Sequence, residues 1–194
     1  MFPLKLICGF FLRLVFVYAL LAYPWSFLTD TYAAAYRSIG NGALGSFGTD
    51  GTVRFEPLSG GAGMLDTEIV LKNRRTRAVS RTEHSARLTG YLPTVEVIAL
   101  IVATPIPWSR RCKALVWGLV WINVFVAART ALVPLYGFCN DTPCALFWPS
   151  PFWMDVLTST FNIGVKWSSL TFVAPVFVWI AVTLRLKDLH RWRG

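Results

Sequence analysis

The sequence predicts an α-helical membrane protein with four transmembrane helices and both termini on the cytoplasmic side. A small β-rich extracytoplasmic domain is expected between the first and second helices. Three observations predict this. Hydrophobic residues make up 55% of the 194 and charged residues 15%, against about 45–50% and about 25% in soluble domains. Mean hydropathy is +0.51. The apolar residues are gathered into runs, with basic residues between and beyond them. Disorder is excluded, because such a chain has ample apolar surface to bury. A disulfide scaffold is excluded too, since four Cys are too few.

The four runs occupy residues 6–28, 91–108, 114–135 and 161–184. At ~1.5 Å per residue, each reaches or approaches the span of a hydrocarbon layer about 30 Å thick. The first run resembles a signal peptide with Ala33-Ala34-Ala35 behind it. It is longer than an h-region of about 7–15 residues and carries Arg13, so a retained anchor is expected. The stretch 145–154, rich in proline and aromatics, is too short to span and reads as interfacial.

Orientation follows from charge. Residues 109–113 (Ser109-Arg110-Arg111-Cys112-Lys113), the tail 185–194 and the head with Lys5 and Arg13 are all basic. The positive-inside rule makes them cytoplasmic. Residues 29–90 and 136–160 then lie outside. The net charge of +9 is in part this topology signal. A nucleic-acid partner needs a soluble basic face or a recognition motif, and the chain has neither.

The outer segment 29–90 is rich in glycine, with Thr52-Val53-Arg54-Phe55 and Thr67-Glu68-Ile69-Val70-Leu71 as strand-like pieces. Two to four strands are expected to lean on the helices or on a partner. Arg74, Arg75, Arg77 and Arg81 follow, with Arg87 beyond. Three readings stand for this cluster: a solvated hairpin tip, a contact with lipid head groups or an anionic polymer, and a dock for an acidic partner. Cys139 and Cys144, in GFCNDTPCAL, fall outside, where oxidising conditions permit a disulfide; two unpaired thiols are the alternative. With two His in the chain and neither beside this pair, no metal is expected, and no cofactor.

Ionisable residues within apolar runs are functional candidates. Glu96, Arg129 and Lys166 are expected to converge in the outer third of the bilayer, with Asn123 deeper. Either Glu96 and Arg129 form a structural pair while Lys166 reaches the interface, or the cluster is a polar site for an anionic group or a partner's carboxylate. His84 and His190 fall on opposite sides, and no G-x-S-x-G or H-E-x-x-H motif occurs. No catalytic residue is assigned.

Three stretches resemble small bacterial inner-membrane proteins associated with exosortase systems, the exosortase H-associated type. They are an anchor followed by an outer β-like loop, YLPTVEVIALIVATPIPWSRR, and FNIGVKWSSLTFVAPVFVWIAV. The CNDTPC loop and the Arg-rich hairpin are not part of the likeness. The resemblance implies a multi-pass protein of the inner membrane, acting as a non-enzymatic accessory subunit of cell-envelope protein sorting or export. Its implied partners are the lipid bilayer and a larger membrane protein, an exosortase-like transpeptidase. The alternative is a small polytopic enzyme acting on a lipid-linked or peptide substrate at the outer leaflet.

Overall fold

A computed structural model describes residues 4–58, 65–140, 142–167 and 169–184. The elements in chain order are α1 (Leu4–Ala22), α2 (Trp25–Leu44), β1 (Ser46–Phe47), β2 (Gly51–Pro57), β3 (Thr67–Asn73) and β4 (Val79–His84). A π-helical turn (Arg87–Tyr91) then leads into α3 (Leu92–Ala103). It is followed by α4 (Trp108–Cys139), α5 (Pro151–Phe161), a second π-helical turn (Asn162–Lys166) and α6 (Leu170–Thr183).

The expectation of four transmembrane helices is overturned. Among the described residues, α4 is the one helix that is by itself long and apolar enough to cross a membrane. The count rises to three when each of two bent pairs is taken as a single span. These are Ile7–Ala22 with Trp25–Leu44, bent by 66°, and Pro151–Lys166 with Leu170–Thr183, bent by 91°. The run 91–108 yields a helix of 12 residues. Proline placement is the physical reason. A proline pushes the residue before it out of the helical region, and Thr104, which precedes Pro105, is extended at φ −66° and ψ 131°. Pro24 stands at the break between α1 and α2.

The expected loop boundaries shift as well. Residues 25–44, divided at sequence level between an anchor and a glycine-rich loop, form one helix. Alanine is the strongest helix former, so Ala33-Ala34-Ala35 propagate α2. The basic turn 109–113 is the first part of α4, and all of α5 but its last residue falls in the expected loop 136–160. The tail 185–194 lies outside the described residues.

Two apolar clusters hold the fold. In the first, Val97 and Ile101 of α3 meet Ala114 and Ile122 of α4, with Val178, Trp179 and Val182 of α6 against them. The closing end of this layer is tied by polar groups. Trp179 Nε1 donates to Thr104 Oγ1 at 2.7 Å, and Arg111 Nη2 donates to Thr104 O at 3.0 Å. Arg110 Nη2 reaches Thr183 O at 3.2 Å. These arginines satisfy carbonyls that helix ends leave without partners. At the opposite end, Trp25, Tyr32 and Tyr91 pack ring to ring and pin the α1–α2 turn against α3. The outward sides carry Leu12, Phe16, Trp121 and Phe177, each more than half exposed.

The second cluster joins the sheet to the far third of α4. The strands form an antiparallel meander in the order β1-β2-β3-β4. Alternation sends Val53, Phe55, Ile69 and Leu71 inward against Val133 and Phe138. β1 is too short to pair with the middle of β2, so Asn41 of α2 substitutes for it. Its side chain donates to Phe55 O at 3.0 Å and accepts from Phe55 N at 2.8 Å.

Gly118 is the close approach between α3 and α4: a Cβ there would stand 2.6 Å from Ile101 Cδ1 and 3.0 Å from Val97 Cγ1. Gly118→Leu is therefore expected to lower stability by about 1–3 kcal/mol. Gly42→Ala, where a Cβ meets nothing within 4 Å, is expected to raise it by about 0.4–1 kcal/mol. Thermal melts of the detergent-solubilised protein check both.

Candidate functional site

The four polar residues singled out within the apolar runs do not meet. Arg129, 6% exposed, is held by Thr171 and the Val165 carbonyl. Its Nη1 donates to Thr171 Oγ1 at 2.7 Å and its Nη2 to Val165 O at 3.4 Å. Glu96 is elsewhere. It faces α1, where its charge is coupled to Tyr18, and its Oε2 is buried without a hydrogen-bond partner. Lys166 is exposed, with its ammonium 6.0 Å from the Phe161 ring centroid. Asn123 is exposed and donates to Leu119 O of its own helix at 2.8 Å. Among the described residues the ion pair formed is Arg81–Glu68, at 2.8 Å on the sheet surface.

Cys139 and Cys144 are free thiols. Cys144 is buried, with its Sγ 3.9 Å from Leu71 O, and burial raises its pKa above the usual thiol range. Arg74, Arg75, Arg77 and Arg81 are all exposed. No group of three or more His, Cys, Asp or Glu able to hold a metal ion occurs among the described residues.

A different polar constellation forms where the sheet meets the helices. Tyr36 of α2 lies 2.8 Å from Thr130 Oγ1. The Thr130 hydroxyl donates its one proton to Val126 O at 2.8 Å, so the Tyr36 hydroxyl is the donor between the two. The Tyr36 ring stacks on His84, with centroids 6.1 Å apart and planes 15° from parallel. His84 Nε2 shares a 2.9 Å hydrogen bond with Thr89 Oγ1 in the π-helical turn. Asp66 holds the entry to that turn: its Oδ1 accepts from Ala86 N at 3.0 Å and from Thr67 Oγ1 at 2.8 Å. A carboxylate there is favoured by the helix dipole.

Burial sets the protonation of this centre. His84 is 8% exposed. Desolvation, aided by the Arg129 cation and opposed by Asp66, brings its pKa down to about 4. At neutral pH the imidazole is uncharged, which lets it sit near Arg129 without repulsion. The hydroxyls and the neutral ring of the centre are hydrogen-bonded to one another or to backbone, while the nearby Arg129 guanidinium bonds to Thr171 and Val165 and keeps its Nε buried without a partner.

Beside this centre a groove of about 260 Å³ runs between α2 and α4. Tyr36 and Thr130 form its polar side, and Ile39, Ala43, Asn123 and Ala127 flank it. Ile39 is 71% exposed. The sequence reading missed Tyr36, Thr89, Thr130 and Thr171. The available signal was the spacing Ala33, Tyr36, Gly40, one face of a helix, in a segment read as loop.

Compared with protein-family models, curated proteins and solved structures, the chain matches nothing.

Three outcomes follow from this geometry. Thr171→Val leaves the Arg129 guanidinium without its side-chain partner and is expected to cost about 1–3 kcal/mol. Glu96→Gln is expected to cause no loss of stability, whereas breaking a Glu96–Arg129 pair would cause one; paired thermal melts separate the two. The folded pKa of His84 lies below its unfolded value of 6.5. Its contribution is therefore fully present above pH 6.5 and is lost as pH falls toward about 4. Melting temperatures between pH 7 and pH 4.5 are expected to fall more steeply in the wild type than in His84→Gln.

Proposed function

We propose that the chain is a non-enzymatic, membrane-embedded accessory subunit, seated beside a larger membrane protein in a cell-envelope protein sorting or export system. The observation that carries this reading is the open groove between α2 and α4. Its sides include the small residues Ala43 and Ala127 and the exposed Ile39. An uncovered apolar face of this kind marks an interaction surface, and small residues let a neighbouring helix approach closely in lipid.

The internal polar chemistry supports the same reading. Arg129 ties α4 to α6, Tyr36 ties α2 to α4, and His84 ties the end of β4 to the π-helical turn, the expected design of a rigid part that presents a surface. The resemblance to exosortase-associated proteins directs the choice of partner toward a membrane transpeptidase.

The test is gentle solubilisation from the native membrane, followed by mass spectrometry of what copurifies, for the wild type and Ala127→Trp. The expected result is a larger membrane protein in stoichiometric amount with the wild type, released by Ala127→Trp at unchanged levels of this chain. Recovery of the wild type alone overturns the proposal.

A further inference from the structure

The outer face of the sheet carries charge in rows. Directly paired residues share a face, and the register aligns Glu56 with Glu68 and Glu68 with Glu83. One pair along, Arg54 and Arg81 flank Val70, and beyond them Thr52, Lys72 and Val79 align. At this second end, Arg54, Lys72, Arg74 and Arg77 line one concavity of about 390 Å³, with no carboxylate among its lining residues.

Three features make this more than a solvated face. Four cations around one concavity repel one another, a cost that a bound anion offsets. The acidic row leaves the far side of the basin unneutralised. Arg54 stands two residues from Glu56 on β2, but Glu68 and Lys72 are four residues apart on β3, ~13 Å at strand rise, beyond a Debye length of about 8 Å at physiological salt. Glu68 is moreover bonded to Arg81 at 2.8 Å, which draws Arg81 away from the basin. The hairpin tip is also built rather than loose. Asn73 Oδ1 accepts from Arg75 N at 2.9 Å and Thr76 N at 3.3 Å, and Thr76 Oγ1 donates to Pro143 O at 2.9 Å. Arg77 is the one non-glycine residue with positive φ among the described residues, at 59°. That conformation costs an arginine energy a glycine would not spend, and it holds a side chain that lines the basin.

We propose that this basin is a binding site for a phosphate-bearing ligand, gripped by Arg54, Lys72, Arg74 and Arg77. Guanidinium forks match phosphate oxygens in bidentate geometry, and four cations suit a multiply charged phosphate better than a single carboxylate. The group is either the phosphomonoester headgroup of an anionic lipid or a soluble phosphate. The sequence cluster of Arg74, Arg75, Arg77 and Arg81 is thereby redrawn: Arg75 and Arg81 leave it, and Lys72, two residues before Arg74, and Arg54, from the neighbouring strand, join.

The experiment uses the full chain in zwitterionic nanodiscs, titrated calorimetrically with inorganic pyrophosphate at physiological ionic strength. A parallel arm offers the detergent-released protein phosphatidic acid against phosphatidylcholine and reads retained lipid by native mass spectrometry. Two double variants remove the same charge: Arg54→Gln with Lys72→Gln inside the basin, and Arg75→Gln with Arg81→Gln outside it. Binding of at least one probe is expected, weakened about tenfold or more by the inner double variant and little by the outer one. Arg77→Gly relieves the left-handed backbone, so it is expected to keep the melting temperature while weakening binding about tenfold. Retention of phosphatidic acid alone identifies the headgroup as the source, and a pyrophosphate response identifies a soluble phosphate. Binding of neither probe, or equal loss in both double variants, overturns the proposal.

Discussion

Everything in this molecule is arranged around a helix longer than the layer it is suited to cross. α4 has 32 residues, ~48 Å at helical rise, against a hydrocarbon core of about 30 Å. Its first two thirds and its last third are covered by different kinds of surface. Residues 114–122 pack on α3 and α6 through aliphatic contacts, while Val133 and Phe138 pack on the inner face of the sheet. Arg129 lies between the two regimes, and its bond to Thr171 ties α4 to the start of α6. The buried guanidinium is offered two acceptors there, one from Thr171 and one from Val165, while its Nε has no partner.

The shorter elements are cut to length by proline and secured by side chains. Pro24 divides α1 from α2, and Pro105 ends α3 after Thr104. At the end of α3, Arg111 meets the Thr104 carbonyl and Trp179 the Thr104 hydroxyl, while Arg110 meets the Thr183 carbonyl at the end of α6. The basic turn that signals orientation in the sequence thus has a second role as a clasp between three helix ends. The buried centre at Tyr36, His84 and Thr130 works alike at the other end, joining α2, the sheet and α4 through groups that satisfy one another.

Sequence and structure part company in informative places. The strands 51–57 and 67–73 lie where the β-rich patches Thr52–Phe55 and Thr67–Leu71 stand, because period-2 alternation is a local property. In the first two runs the expected spans failed because hydropathy alone counts apolar residues without asking where proline, here Pro24 and Pro105, stops the helix. The expected meeting of Glu96, Arg129, Lys166 and Asn123 failed for another reason. Depth along a span can be estimated from sequence, but rotation about the helix axis cannot. Glu96 turns toward α1, while Arg129 turns toward α6.

What the sequence by itself determined is the apolar character, the long helix at 108–139 in outline and the strand patches. These depend on near neighbours in the chain, for which composition and spacing are sufficient. The tertiary structure alone decided which polar groups share a space: Tyr36 with Thr130, 94 residues apart, Arg129 with Thr171, and Arg54 with Arg77 around one basin. Those meetings depend on sheet register and on the facing of packed helices. Both are set by the simultaneous burial of many side chains, a condition no single stretch of sequence contains.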